Sequence, residues 1–590
     1  MKVVIIGAGP SGLVVCKTLL QEFSEEYPFD PIILEAEDDI GGTFQYRGYE
    51  NASLVSSKQI TSFSDFRLPL DHPDHLTLPE YIKYLRDYAR HFKLDDRIRL
   101  GCRVTRIRRD PTGGHVVEFV ESKVSPQAQT IHADFIAVCS GLHVIPSTPD
   151  IPGIENVLHP KISPADGITP QVYHSSAYKA RAQLANRRVM ILGTGETGHD
   201  LAYEAAKAGA TEVTLCTRGG FLSFPKVLND FQLLGFKFEG NLPIDGLITN
   251  LFETTYVHPW VAKLHLRWFV SDFVIKRVLW FLTGTQAGCN QWVGELDSER
   301  LGRAYVFLNK SNKAMPYINR SYRKRPKFME YISRYIDPPE DSPPVTNFSV
   351  ELAPFPTQFL PSGQAVFPVT HRKESKRIQG MTIKPQTVIY ATGYTQNFDF
   401  FDSEGHYPTL NDIDVRNVFK QGDESIGFIG FVRPGVGAIP PISEMQAMFW
   451  TAIITSKIPV PTSLPHYHLL VKETARIKYG VDHSSYMSTL AKDMGAAPDL
   501  WKLWQEHGAK VLICYCFGAA FTPFYRLQPP YQTPSAPQIV KAEIWETIAR
   551  RGIFGNLFMA IIPMAGYAIV NLLALVLEGI WIVAGKALEK

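Results

Sequence analysis

Cysteine is scarce in this chain. Its seven cysteines, Cys16, Cys102, Cys139, Cys216, Cys289, Cys514 and Cys516, are odd in number and scattered. They form no disulfide framework and no paired C-x-x-C metal spacing, so the pattern points to a reducing compartment. A surplus of one charge is missing too. The formal net charge is +2 over 590 residues, which gives no global attraction to nucleic acid and confines any basic surface to a local patch. No Gly/Ser-rich linker and no internal repeat is present, apart from one glycine pattern that occurs twice. The apolar run after Lys2 leads into a glycine turn with no convincing cleavage site, so it does not read as a secretory signal. The remaining composition is that of a globular protein, long enough for about three or four domain-sized units.

What is present is concentrated first at the N-terminus. Val3, Val4, Ile5 and Ile6 predict a strand that stops at Gly7-Ala8-Gly9-Pro10-Ser11-Gly12, after which Leu13 to Leu20 reads as a helix. Strand, glycine turn and helix together make a dinucleotide-binding fingerprint. Gly7 permits the tight turn, Gly9 lets a pyrophosphate approach the backbone, and Gly12 lets helix and strand pack closely. Pro10 and Ser11 lie at the helix start, where unpaired N–H groups and positive potential favour phosphate. A second strand, Pro31 to Leu34, ends at Glu35, placed to bind ribose hydroxyls. The pair Gly41-Gly42, followed by Thr43 and Phe44, lets the chain pass close to a cofactor. Phe44 and Gln45 stand where dithiol reductases with two such folds place a redox cysteine, which argues against dithiol chemistry.

The pattern returns at Arg188 to Leu192, Gly193-Thr194-Gly195-Glu196-Thr197-Gly198 and a helix from Asp200 to Ala208. Gly193, Gly195, Thr197, Gly198 and Asp200 are the second set of candidate cofactor-binding residues. The strand Glu212 to Thr217 ends not in an acid but in Arg218, whose guanidinium suits the 2′-phosphate of NADP rather than a bare ribose. Further strands are expected at Asp134 to Val138, Thr387 to Tyr390 and Ile426 to Phe431, and helices at Glu80 to Phe92 and Glu444 to Ile454. Arg99 to Arg109 and His115 to Val120 alternate like a hairpin. Asp71-His72-Pro73-Asp74-His75 reads as an exposed turn rather than a metal site, since nothing fixes those side chains on one face.

Two stretches bear on membranes. Trp260 to Phe281 mixes large apolar residues with Lys263, Arg267, Lys276 and Arg277, and basic residues continue at Arg320, Arg323, Lys324, Arg325 and Lys327. That is either a membrane-surface element or an inserted subdomain packing on its own core. Gly552 to Leu577 carries no charge over 26 residues, enough to cross a bilayer. Arg550 and Arg551 before it favour a cytosolic flank, while Pro563 and Asn571 interrupt it.

Two dinucleotide folds, one with Glu35 and one with Arg218, look like a flavoprotein reduced by NADPH. The sequence resembles the flavin-containing (dimethylaniline) monooxygenases. The likeness runs through nearly the whole chain, in Gly41-Gly42-Thr43-Phe44, Ser56-Ser57-Lys58, Phe63-Ser64-Asp65-Phe66, Ala391-Thr392-Gly393-Tyr394, Phe428-Ile429-Gly430-Phe431, Phe517-Gly518 and Tyr525-Arg526-Leu527. His174 to Tyr178 supplies the second half of the family signature F-x-G-x-x-x-H-x-x-x-(Y/F), whereas Ile168 and Pro170 replace its Phe and Gly. Baeyer–Villiger relatives usually carry Trp where Tyr178 stands. Val55 stands where the family often has an active-site Asn against flavin or NADP, and Asn51 is the nearest asparagine.

The resemblance implies an α/β fold with two Rossmann-like domains, the second inserted in the first. Residues 1–167 and 399–535 would bind FAD and residues 168–398 NADPH, with a helical insertion over 220–345. Residues 536–590 would form an amphipathic helix and a hydrophobic membrane anchor, holding cytosolic catalytic domains to the endoplasmic reticulum. It implies that NADPH reduces FAD and that O2 adds at the flavin C4a position. The hydroperoxide then passes one oxygen to an amine nitrogen or a sulfur of a small molecule. Baeyer–Villiger oxygenation and an uncoupled NADPH oxidase are the alternatives. A membrane-bound flavoprotein with only a binding role is a third. No metal or protein nucleophile is implied; Ser56 is a candidate for hydrogen bonding near the flavin, beside Val55.

Overall fold

The computed structural model describes residues 1–23, 26–121, 125–160, 167–223, 226–233, 235–246, 256–262, 264, 308–309, 313–319, 328, 331, 333–335, 348–463 and 480–588. Most of the basic and aromatic stretch expected near 260–281, and the basic residues from 320 to 327, lie outside the described residues.

The chain opens with β1 (Lys2–Ile6), α1 (Pro10–Gln21) and β2 (Asp30–Leu34). It continues through α2 (Leu78–His91), β3 (Ile98–Arg99), an antiparallel meander of β4 (Cys102–Arg109), β5 (His115–Glu121) and β6 (Ser125–Ala133), and β7 (Phe135–Val138). There follow β8 (Gln171–His174), β9 (Arg188–Leu192), α3 (Glu196–Lys207), β10 (Glu212–Thr217), β11 (Val350–Pro354) and β12 (Thr387–Tyr390). Then come β13 (Ile426–Phe428), α4 (Ile439–Ile454) and α5 (His483–Asp493).

Two five-stranded parallel sheets result. The first has the order β13-β7-β1-β2-β3 and the second β11-β10-β9-β12-β8. Because β13 rejoins β7 after the second sheet is complete, the second sheet is an insertion in the chain of the first. Val3, Val4 and Ile5, and Met190, Ile191 and Leu192, are wholly buried. Layers on both faces explain why these strands read as unbroken apolar runs. The two passages between the sheets pair with each other antiparallel, Ile145–Pro146 against Tyr394–Thr395.

Helix α4 starts five residues before the expected Glu444. Pro440 and Pro441 sit in its first turn, where an absent N–H costs nothing, so they begin the helix instead of barring it. It packs on α1, and Ser443 Oγ lies 2.8 Å from Ser11 Oγ.

Beneath α1 lies a network of buried charges. Arg526 donates to Glu22 at 2.7 and 2.9 Å, to Glu444 at 3.0 Å and to Ser64 Oγ at 3.0 Å. Lys17 pairs with Glu22 at 2.6 Å and with Asp65, and the Ser64 N–H and hydroxyl both donate to Glu444. Burial alone would raise the Glu22 carboxyl, but Arg526 and Lys17 outweigh it and hold Glu22 well below the usual carboxylate range. Phe63-Ser64-Asp65-Phe66 and Tyr525-Arg526-Leu527, separate motifs in sequence, thus meet at one place.

The C-terminal helix runs from Gly552 to Ala584 and contains an 18-residue stretch of mean hydropathy 2.2, long and apolar enough to cross a membrane. Ile553, Phe554, Ile569, Leu572 and Val583 are exposed along it. Arg550 and Arg551, expected to hold the cytosolic flank, are bound by the body of the protein. Arg551 donates to Phe517 O at 2.6 Å and to Gly246 O, and Arg550 to Asp74 at 2.6 Å. Asn571 is a docking point: its Oδ1 accepts from the His258 N–H at 2.8 Å, and His258 Nε2 meets Glu578 at 3.1 Å.

Removing one member of the buried network leaves charge without compensation, at a cost of about 3–5 kcal/mol. Arg526→Ala is therefore expected to lower the thermal unfolding midpoint by several degrees. An unchanged melting curve would show that the network carries no stability.

Candidate functional site

The first glycine turn has the geometry of a nucleotide cradle. Gly7 takes φ +104°, where a side chain is strained, and a Cβ there would lie 2.8 Å from Cys139 O. A Cβ on Gly12 would lie 1.9 Å from Gly7 O, so the helix can sit this close to the strand only with glycine. Gly9 differs: a Cβ there would meet only the Cα of Gly42, at 4.0 Å. A Cβ on Gly42, which takes φ +54°, would lie 3.3 Å from the Gly9 Cα, so the two glycines let their backbones come together at the N-terminus of α1. The unpaired N–H groups and positive potential of that helix N-terminus are what favours a phosphate. Pro10 is the first residue of α1. Thr43 starts a short helix, Thr43–Tyr46, and Phe44 turns its ring onto Tyr81, 4.7 Å between centroids. Glu35 is buried at the end of β2; its carboxylate accepts from Ala8 N at 2.6 Å and Glu37 N at 3.0 Å. Each oxygen keeps a lone pair for another donor.

The second turn repeats this construction. Gly193 takes φ +122° with Ala391 O where its Cβ would be, and Gly198 packs on Gly193 O. A Cβ on Gly195 would meet nothing within 4 Å, which again leaves the middle glycine open. Thr197 is exposed in the first turn of α3. Asp200 Oδ2 accepts from the Tyr49 hydroxyl at 2.6 Å. Arg218 is exposed just past β10, its guanidinium 4.5 Å from the ring centre of Phe355 and its carbonyl accepting from Arg372. Stacked on that ring, the guanidinium presents its charged fork just past the end of β10. Burial pushes His199, behind this turn, down to about 4.

Between the turns runs a segment from Tyr46 to Lys58 that touches both halves. Lys179 Nζ donates to Tyr46 O at 3.0 Å and Gly48 O at 3.1 Å, and Asn51 donates to Glu204 at 2.8 Å. Glu204 also pairs with Arg181 at 2.8 Å, so Asn51 is engaged with the second half. Val55 is half-buried. Ser56 is buried and accepts from Thr61 Oγ1 at 2.7 Å. Lys58 is buried, donating to Pro69 O, Leu70 O and His72 O at 2.9, 2.7 and 2.5 Å.

His174, from the partial signature, donates through Nε2 to Gly393 O at 3.0 Å and lies 4.9 Å from the ring of Tyr394. It thereby fixes the return passage between the sheets. His143 also packs on Tyr394, 5.1 Å between ring centres, and burial, with Arg433 and Arg47, pushes it down to about 4.

Two residues at this site carry no local motif. Lys226 donates to Ser53 Oγ at 3.0 Å and Leu54 O at 3.3 Å, and Asp245 accepts from Ser57 N at 2.6 Å. Only the pairing of Val227 with Pro243 in the hairpin Val227–Leu233/Phe236–Pro243 brings them together, and sequence spacing does not reveal that register.

A family model for flavin-binding monooxygenase-like proteins matches residues 1–242 and 377–551. Monooxygenase PC-14 of Penicillium crustosum is 38% identical, covering 95% of both chains. Monooxygenase ptmN of Penicillium ochrochloron is 39% identical, covering 93% of this chain and 90% of its own. A rabbit (Oryctolagus cuniculus) dimethylaniline monooxygenase is 24% identical over 91% of this chain and 90% of its own. In fold, the chain resembles the S-allyl-L-cysteine S-oxygenase of Allium sativum, with TM-score 0.52 at 16% identity, covering 93% of this chain and 98% of that one. It also resembles the polycyclic ketone monooxygenase of Thermothelomyces thermophila, with TM-score 0.50 at 14% identity over 77% and 75%. With both glycine cradles in place and the family model spanning both, the chain belongs to the flavin-binding monooxygenase-like family and is a flavin-dependent monooxygenase.

Proposed function

We propose that the first cradle holds FAD and the second NADPH, and that with O2 the chain oxygenates a soft nucleophile, an amine nitrogen or a thioether or thiol sulfur, of a small molecule. The observation that carries this reading is the difference between the two otherwise matching turns. One ends in the buried acid Glu35 and the other in the exposed cation Arg218. An acid suits ribose hydroxyls and a guanidinium suits a ribose phosphate, so the two sites sort two nucleotides. The bound flavin, reduced by the nicotinamide, supplies the activation of O2 and its transfer.

The chain's own residues bind, orient and exclude water. Gly9 and Gly42 admit the pyrophosphate, and Gly195 does the same on the second sheet. Residues 46–58, gripped by both halves, form the wall between the nucleotides, and the buried Leu54, Ser56 and Ser57 keep water from it. Ser56 is the hydroxyl on that wall. On this reading residues 1–167 and 399–535 form the FAD domain, 168–398 the NADPH domain, and 536–590 the anchor to the endoplasmic reticulum membrane. The Gly552–Ala584 helix supports the last point. Tyr178, where Baeyer–Villiger relatives usually carry Trp, supports soft-nucleophile oxygenation over the Baeyer–Villiger course. Val55 favours a second reading, an NADPH oxidase, because no polar side chain stands at that position.

Product analysis decides among these. Sulfoxide or N-oxide formation matching NADPH consumption supports oxygenation, lactone or ester formation from ketones supports the Baeyer–Villiger course, and hydrogen peroxide matching NADPH supports the oxidase. Gly9→Ala is expected to fold and lose FAD, whereas Gly12→Ala, with its Cβ on a backbone oxygen, is expected to fail in folding; flavin content and circular dichroism separate the two. Arg218→Ala is expected to reduce the preference for NADPH over NADH by about 1–3 kcal/mol, read as the ratio of kcat/KM values. Truncation before Gly552 is expected to move the protein from the membrane pellet to the supernatant.

A further inference from the structure

The C-terminal helix has two unlike faces. Its covered residues recur at three- and four-residue steps, through Asn556, Ala560, Met564, Tyr567, Asn571, Ala574 and Glu578, which is the spacing of one helix face. That face carries every polar side chain from Ile553 to Ala584. The outward face is built of apolar residues and glycine from end to end, and Phe554, Ile569, Leu572, Ile580 and Trp581 on it are each more than half exposed.

The covered face is held at two distant points by one small part of the body. Gly552 takes φ +62°, a left-handed conformation that suits glycine, and just before it Arg551 donates to Phe517 O. Phe517 ends the nine-residue helix Ala509–Phe517. Further along, Asn571 Nδ2 donates to Tyr256 O at 3.3 Å and Asn571 Oδ1 accepts from the His258 N–H at 2.8 Å. The Tyr256 side chain lies beside Tyr515, on that same nine-residue helix. Between Arg551 and Asn571 the helix covers about 30 Å, the hydrocarbon thickness of a bilayer. A chain crossing the bilayer from Arg551 would carry Asn571 to the far headgroups, out of reach of a body helix that exposes Lys510 to water on the near side.

Contiguous apolar surface of this length marks a contact with lipid or with another protein. Protein interfaces surround an apolar centre with polar groups, whereas this face is apolar throughout, as hydrocarbon requires. We propose that the Gly552–Ala584 helix lies along the membrane, its outward face in the hydrocarbon of one leaflet and both its ends on the side of the catalytic domains. The proposal rests on the reading of this helix as the membrane anchor and adds that the anchor does not cross.

Sidedness tests it. An epitope is appended after Lys590 of the full chain, and sealed microsomes of the expressing cells are treated with protease before and after detergent, a lumenal protein serving as the control for sealing. The chain is expected in the membrane pellet with its epitope digested before detergent is added. An epitope protected until detergent shows a crossing helix and overturns the proposal while leaving the anchor standing; full-length chain in the supernatant removes the anchor reading itself. Depth is a second measurement. Phe554→Cys, Ile569→Cys and Ile580→Cys are made singly, spin-labelled and placed in phosphatidylcholine vesicles, with the labelled wild-type chain as background. All three labels are expected at one shallow depth, about 5–10 Å below the headgroups. Depths that rise to a maximum at position 569 overturn the in-plane placement, and labels immobilised against a second copy of the chain overturn lipid as the partner.

Discussion

Arg526 is the constraint on which the arrangement depends. Its guanidinium reaches Glu22 just past the first helix, Ser64 in the loop beyond the wall segment, and Glu444 on the helix that closes the first sheet. Three stretches far apart in sequence converge on this one side chain, so the cradle is assembled by long-range charge pairing as well as by local turn chemistry. An interior ion cluster gains little over a well-packed apolar one. It does impose a single register, because any slip of α1 against α4 leaves a charge without its partner. That register sets the distance between the Gly9 turn and the segment that faces it.

The wall segment carries the same logic between the two sheets. The carbonyls of Tyr46, Gly48 and Leu54, the hydroxyls of Tyr49 and Ser53, and Asn51 are each held by a residue of the second half or of the insertion. The paired passages at 145–146 and 394–395 close the other side. Relative movement of the sheets would have to break several of these bonds together, which makes them one unit on the timescale of a binding event.

Much of this was legible in the residues. Both glycine turns, their strands and the contrast of Glu35 with Arg218 follow from local sterics and spacing, and the structure builds them where the sequence put them. Helix α4 began earlier than expected because proline is tolerated in a first turn. The motifs around Ser64 and Arg526 could be seen but not interpreted, since their meaning is their meeting in space. Asp200 lay within a readable motif, but its bond to Tyr49 did not. Lys226 and Asp245 were invisible, as hairpin register is not written in spacing. Asn571 read as a flaw in an apolar helix because its partners lie more than 300 positions away.

The C-terminal helix is pinned at its root by Arg550 and Arg551 and again at Asn571 and Glu578. Twenty residues of helix between the two points span about 30 Å, close to the hydrocarbon thickness of a bilayer. Such a helix is no leash. A lipid sheet that receives it must also receive the loop bearing His258 and Trp260, whose ring sits 6.5 Å from that of Trp581. A membrane holding that helix would therefore hold the enzyme at a set tilt, with one flank turned toward the lipid.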